Sequence, residues 1–218
     1  MIELLHIDCM EYMKTLPDKA FDLAIVDPEY RDDNQPDQNM RKSGTMKHWK
    51  GAPKADYFSE LFRVSKNQII FGGNYFTEHL AANNNWFVWY KNNDGTHMSM
   101  AEMAWVSIRK NIKVFDYRPM GNNVDWHPTA KPIKVYKYLL HTYAKRPICT
   151  HKHTEDYNHL CTDCNKPFKI LDTHLGSGSS AIAAHDMGFD FVGCEIDQDY
   201  YQAALKRYNN AIKQTKLF

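Results

Sequence analysis

The stretch from Ile170 to Glu195 constrains this chain more than any other. An apolar strand expected over Phe168–Leu171 runs into Asp172. Thr173-His174-Leu175 leads to the turn Gly176-Ser177-Gly178, and small residues then open a helix expected over Ser179–Met187. A second apolar strand, Phe189–Cys194, ends in Glu195, 19 positions after Gly176. Strand, glycine turn, helix and strand in that order form the repeating unit of a doubly wound α/β sheet. Glycine lets the backbone come close to a ligand, and the start of the helix offers unpaired N–H groups to an anion. An acid at this distance is placed for a ribose diol. With no ligand, the same segment is a tight strand–helix turn.

The pyrophosphate fingerprint of dinucleotide-binding proteins is incomplete, because Ala181 stands where its last glycine belongs. A nucleoside ligand without a diphosphate accounts for this. S-adenosylmethionine (SAM) is such a molecule, with an adenine, a ribose diol and a methionine carboxylate.

The rest of the 218 residues alternates in the same way. Strands are expected at Ile2–Ile7, Phe21–Val26, Gln68–Phe71 and Trp86–Tyr90, and helices at Met10–Leu16, Ala55–Val64, Lys131–Tyr143 and Gln198–Ile212. A β-hairpin is expected at 100–118, with arms Ala104–Ile108 and Ile112–Phe115 around the basic turn Arg109-Lys110-Asn111. The pattern predicts a single domain over 1–218. Its special segments are a polar loop at 31–54 and an insertion at 146–168. The formal charge of +1 excludes a generally basic nucleic-acid binder, so any such binding uses a local patch. No apolar run reaches the ~18 residues of a membrane span. The first residues lack the basic n-region of a secretory signal. Five cysteines, an odd number, argue for a reducing compartment, the cytoplasm, over a disulfide framework.

The strand Leu23–Val26 ends in Asp27-Pro28-Glu29-Tyr30. An acid at the carboxyl end of a parallel strand stands at the ligand edge of the sheet; taken alone, Asp-Pro also reads as a strand followed by a turn. In combination these motifs resemble the permuted, β-group amino-methyltransferases of DNA. Asp27–Tyr30 resembles the catalytic Asp-Pro-Pro-Tyr motif, which precedes the SAM motif in this group, as Asp27 precedes Asp172 here. Asp8, the turn Leu16-Pro17-Asp18 and Phe21-Asp22-Leu23 resemble the group's opening. His127-Pro128-Thr129-Ala130-Lys131-Pro132 resembles its His-Pro-Thr-x-Lys-Pro segment, and Ser99–Trp105 resembles another recurrent stretch. Only 31–54 and 146–168 fall outside the likeness.

The resemblance implies a Rossmann-like SAM-dependent methyltransferase fold, a mixed, mostly parallel sheet with circularly permuted motif order. It implies methyl transfer to the exocyclic N6 amine of adenine, for which the first motif residue is Asp. The lone pair of that amine is delocalised into the ring. A carboxylate (Asp27) and a backbone carbonyl (Pro28) accepting its two N–H bonds let the nitrogen pyramidalise, so positioning supplies most of the rate. The target base must be flipped out of the duplex, at a cost of a few kcal/mol. Stacking on Tyr30 returns about 1–3 kcal/mol. Cofactor contacts are implied for Asp8 and its neighbour Cys9, Thr129, Lys131, Asp172, His174, Leu175, Gly176, Gly178, Ser179 and Glu195. Asp8 also reads as a helix N-cap, Lys131 as a solvated lysine, and Cys9 and Cys194 as ordinary buried thiols. Glu29 departs from the motif: it replaces the second proline and adds a carboxylate. The same chemistry on RNA, and a catalytically silent nucleic-acid-binding subunit, are the alternatives. The likeness also implies a minimal target-recognition region at 92–126, a homodimer, and a place in restriction–modification or as a solitary DNA methylase.

Two polar segments remain. Arg31, Arg41, Lys42, Lys47, Lys50 and Lys54 in the first loop, and Arg109, Lys110 and Lys113, are the expected DNA-phosphate contacts near the active site, with an ordinary solvated loop, its charge diluted by Asp32, Asp33 and Asp37, as the alternative. Cys149, Cys161 and Cys164, with His151 or His153, have the spacing of a Cys₃His structural zinc site, which would give a polar insertion its folding energy; a loop with reduced thiols is the alternative, and a redox pair is disfavoured by the lack of a thioredoxin-like context.

Overall fold

The computed structural model describes residues 1–30, 51–96, 99–118, 124, 126–127, 129–144 and 167–215. Eight strands form one sheet: β1 (Ile2–His6), β2 (Phe21–Val26), β3 (Ser65–Phe71), β4 (Trp86–Tyr90), β5 (Ala101–Val106), β6 (Lys113–Asp116), β7 (Lys169–Asp172) and β8 (Asp190–Glu195). Five helices accompany them: α1 (Cys9–Lys14), α2 (Ala55–Val64), α3 (Ile133–Tyr143), α4 (Ser179–Asp186) and α5 (Gln198–Thr215). The strand order is β1-β8-β7-β2-β3-β5-β4-β6. All neighbours are parallel except β5, which runs against β3 and β4.

The central strands are unbroken apolar runs because both faces are covered. Leu23 and Ile25 of β2, with Ile69 and Phe71 of β3, face a core shared with α3, α4 and Ala204 of α5. The intervening Ala24, Val26 and Ile70 face a second core built on Met13 of α1 and on Tyr57, Phe58 and Leu61 of α2. Side chains alternate along each strand, so the sheet itself separates the two cores. Arg63 ties the lower layer together: its guanidinium donates to the carbonyls of Met13 and Leu16 at the end of α1.

The connections create a crevice. From β7 the chain passes through α4, on the first-core face, to β8 on one side. From β2 it passes through α2, on the opposite face, to β3 on the other side. Adjacent parallel strands whose connections diverge open a gap at their carboxyl ends, which is where ligands bind in such sheets. Here those strands are β2 and β7, paired at Leu23–Ile170 and Ala24–Leu171.

Three expectations are corrected. Residues 100–118 do not form a hairpin. Both edges of β5 are already taken, by β3 and by β4, so β6 crosses over and joins the far side of β4 in parallel. Because β5 is reversed, its carboxyl end opens onto the sheet edge opposite the crevice, and the turn 109–112 lies there, away from the proposed DNA face. Lys110 closes the end of α3 instead: Nζ donates to the Thr142 carbonyl at 2.5 Å and lies 5.1 Å from the centre of the Tyr143 ring. Strand β3 also starts earlier than the apolar pattern indicated, directly at the end of α2, where the Ser65 hydroxyl bonds to the Leu61 carbonyl.

The expected zinc ligands Cys149, His151, Cys161 and Cys164, and the basic residues Arg31 to Lys50, lie outside the described residues. Among the described residues no group of three or more His, Cys, Asp or Glu side chains is arranged to hold a metal ion. No described helix is long and apolar enough to cross a membrane.

Candidate active site

Asp27 sits just past the end of β2. Its Oδ1 accepts the Tyr30 hydroxyl at 2.6 Å, and its Oδ2 is ion-paired with Lys131 Nζ. Lys131 enters from the start of α3 with its side chain 5% exposed. Its ammonium also donates to the Tyr30 hydroxyl at 3.2 Å and pairs with Glu102 Oε2 at 3.1 Å. The ammonium therefore donates to Asp27 and Tyr30 and holds Glu102 by charge alone. Burial works against this charge, but Asp27 and Glu102 outweigh it and hold Lys131 protonated. Burial, and then the Asp27 charge, push the Tyr30 phenol well up, so it remains a donor. A carboxylate offers about four lone-pair positions. Tyr30 and Lys131 use two, which leaves Asp27 able to accept an amine N–H.

Tyr30 is fixed by packing as well. Its ring stacks on Tyr75 at 5.2 Å between centroids, with 11° between planes, and lies against Gly72. Gly72 has φ +65°, and a Cβ there would stand 2.2 Å from Tyr30 Cε1. The left-handed conformation and the absent side chain are both required for the ring to occupy this place. Glu29 turns away into the backbone: its Oε2 accepts the Gly51 N–H at 2.7 Å, where the described chain resumes after residue 50.

Across the crevice, Asp172 ends β7, buried at 1% exposure. Its Oδ1 accepts the His174 N–H at 3.0 Å and its Oδ2 the Ser180 hydroxyl at 2.6 Å. Burial raises its carboxyl from 3.8 to about 7, against the lowering effect of these bonds. Glu195 ends β8. Its Oε2 accepts the Gly176 N–H and its Oε1 the Asp197 N–H, both at 2.9 Å, while burial raises its carboxyl. The acid and the glycine turn, read separately in the sequence, are thus directly bonded. Leu175 is buried with its N–H on the Cys194 carbonyl. Ser179, the first residue of α4, follows Gly178. Arg207 of α5 holds this turn through the Ser177 carbonyl (2.7 Å) and the Ser179 hydroxyl (2.8 Å). His174 Nδ1 lies 2.9 Å from the Thr173 hydroxyl, which is 2.7 Å from the Tyr57 hydroxyl of α2.

His127 covers the glycine turn. Its Nε2 lies 2.8 Å from the position a Gly176 Cβ would take, and its ring packs on Tyr200 at 4.8 Å. Its buried Nδ1 has no hydrogen-bond partner among the described residues. Burial lowers His127 and His174 from 6.5 to about 4, so both are neutral at pH 7.

The structure brings Asp27, Tyr30, Lys131, Asp172, His174, the Gly176–Ser179 turn and Glu195 to one sheet edge, with Asp8 beyond the end of β1. Asp8 accepts the Met10 N–H at 2.8 Å and is the N-cap of α1. Cys9 is half-buried and Cys194 buried. Thr129 is half-buried just before Lys131. Lys131 is a buried partner of Asp27 rather than a solvated lysine. Glu102, Arg207 and Tyr75 received no role from sequence reasoning. Glu102 lies within the recognised segment 99–105, while Arg207 and Tyr75 carry no local signal.

With this geometry in view, the comparisons with known proteins converge. A family described as DNA methylase, of the N6/N4 methyltransferases, matches residues 12–206. A putative methylase, YubD of Escherichia coli (strain K12), is 24% identical over 92% of this chain and 87% of its own length. Among solved structures, the M1.HpyAVI–SAM complex aligns with a TM-score of 0.60 at 20% identity, over 96% of this chain and all of that one. The PvuII DNA methyltransferase, cytosine-N4-specific, aligns at 0.56 and 11% identity, over 98% and 92%. The chain belongs to the DNA methylase family, and its fold is that of these methyltransferases.

Proposed function

We propose that this DNA methylase transfers a methyl group from SAM to the N6 amine of an adenine extruded from DNA. One observation carries the reading: Asp27, held by Tyr30 and Lys131 at the end of β2, shares a sheet edge with Asp172, the Gly176 turn and Glu195. The residues present fit SAM. His127 packs its Nε2 against the glycine turn, and its buried Nδ1 has no hydrogen-bond partner among the described residues, a polar atom that a ligand could satisfy. Glu195, at the end of β8, is placed for hydroxyl donors of a ribose.

When bound, SAM supplies the electrophilic methyl group. Asp27 and the Pro28 carbonyl accept the two N–H bonds of the target amine and draw its lone pair out of conjugation. Asp27 then takes the proton the alkylated nitrogen sheds. Tyr30 keeps the carboxylate aimed and offers its ring to the base. The Glu29 carboxylate is engaged by the Gly51 N–H, which supports an active enzyme despite the departure from the motif. Asp at the first motif position supports adenine over cytosine.

The test incubates the protein with labelled SAM and either duplex DNA or RNA, and analyses the nucleosides. N6-methyladenine in DNA is expected. Asp27→Ala should abolish it while SAM still binds. N4-methylcytosine, label confined to RNA, or SAM binding without any transfer would each reject this reading.

A further inference from the structure

Asp27 is one end of a chain of alternating charges that reaches past the reacting groups. Lys131 joins Asp27 to Glu102 Oε2 (3.1 Å), and Glu102 Oε1 meets Lys91 Nζ at 2.5 Å. The side chains are 19%, 5%, 24% and 15% exposed in the order Asp27, Lys131, Glu102, Lys91, so water screens them little. Four elements contribute. Asp27 follows β2, Lys131 precedes α3, Glu102 is the second residue of β5, and Lys91 follows β4, two residues past the Trp89–Glu102 cross-strand pair. Two anions and two cations leave the row neutral.

The balance bears on catalysis. The target nitrogen becomes positive as it is alkylated, and an uncompensated ammonium beside Asp27 opposes that charge and weakens the carboxylate as an acceptor. Glu102 offsets Lys131 and fixes it in place, and Lys91 fixes Glu102. We propose that Glu102 and Lys91 are positioning residues for methyl transfer, setting through Lys131 the charge and orientation of the Asp27 carboxylate. The inference rests on Asp27 being the catalytic acceptor.

The groups facing Asp27 are Tyr30 from its own loop, Lys131 and Tyr136 from α3 and its entry, His127 before it, and Asp172 and His174 after β7. Of these groups, Glu102 acts on Lys131 and, through its charge, on Tyr30, and it is the partner of Lys91. Glu102→Gln leaves an excess positive charge, Lys91→Gln an excess negative one, and the double variant restores neutrality.

The experiment measures kcat against pH for the three variants and the parent, with SAM affinity and Tm recorded for each. Glu102→Gln should lower kcat about tenfold and move the acid limb of the profile down by about one pH unit, the order expected for one nearby charge in a half-buried site. Lys91→Gln should move it up, and the double variant should return towards the parent. The ¹³C titration of the Asp27 carboxyl in the free protein should show the same three shifts without turnover. If Glu102→Gln does not fold, Lys91→Gln alone carries the sign. A kcat loss with no shift of the limb, or a double variant worse than both singles, overturns the inference. A parent that transfers nothing to DNA rejects the methylation reading instead, and the titration still decides the charge relation.

Discussion

Gly72→Ala is a sharp probe of how the active site is built. Gly72 adopts φ +65°, and an alanine Cβ would stand 2.2 Å from Cε1 and 2.4 Å from Cδ1 of Tyr30. Carbon atoms rest at about 3.5–4 Å, so the ring would have to withdraw by more than about 1 Å. The glycine cannot give way easily, because its N–H bonds to the Met103 carbonyl at 2.9 Å and its carbonyl accepts the Tyr75 N–H at 2.8 Å. A shift of that size breaks the 2.6 Å bond from Tyr30 to Asp27. The left-handed backbone costs alanine about 1–2 kcal/mol, overpacking about 1–3 kcal/mol and the lost bond about 1 kcal/mol. A total of about 3–6 kcal/mol corresponds to a drop in Tm of roughly 10–20 °C for a domain of this size. Calorimetry reads the stability, and methylation kinetics read the turnover, which should fall with it. Tyr30→Ala in the same background removes the obstructing ring, so the double variant should lose less stability than the sum of the singles. A Gly72→Ala protein within about 2 °C of the parent, with unchanged turnover, would refute the reasoning.

Two other outcomes follow from the same structure. Asp172 holds a proton up to about pH 7 when folded, whereas its ordinary value is 3.8. Folding takes up a proton between these values, so this group's contribution to stability falls as pH rises through the window. His127 and His174, lowered to about 4, act in the opposite sense up to 6.5. The difference between parent and Asp172→Asn isolates the aspartate: urea unfolding at several pH values should show the parent's advantage shrinking from pH 4 to 7, and a difference independent of pH contradicts the assignment. Arg109→Ala with Lys110→Ala should leave DNA affinity and its salt slope unchanged, since both residues lie at the edge opposite the crevice. A slope reduced by about one per charge would place DNA there after all.

Much of the candidate site was readable in the chain. Asp27 at the end of an apolar strand, the Gly176 turn and Glu195 nineteen residues on are local patterns, and local patterns survive folding when each strand end points to the same edge. The hairpin assigned to 100–118 failed because strand pairing is not local. Two short apolar runs around a basic turn look alike whether they pair with each other or with third strands. Placing the basic turn near the active site failed for the same reason, since the direction of β5 decides which edge it reaches. Asp8 showed its capping side through spacing alone. Glu102 and Lys91 could not be recognised, because a charged residue in a strand reads as exposed until the strand opposite brings it a partner.

The sequence alone determined the alternation of strands and helices, the two covered faces of the central strands, and the acids that end β2, β7 and β8. All of these depend on the periodicity of neighbouring residues. Tertiary structure decided that the Asp27 carboxylate shares Lys131 with Glu102, that Glu195 grips the Gly176 N–H, and that a residue without a side chain at 72 makes room for Tyr30. These partners lie tens to more than a hundred positions apart or meet only across the sheet, and contact at such separations is set by the packing of the whole fold rather than by any segment of it.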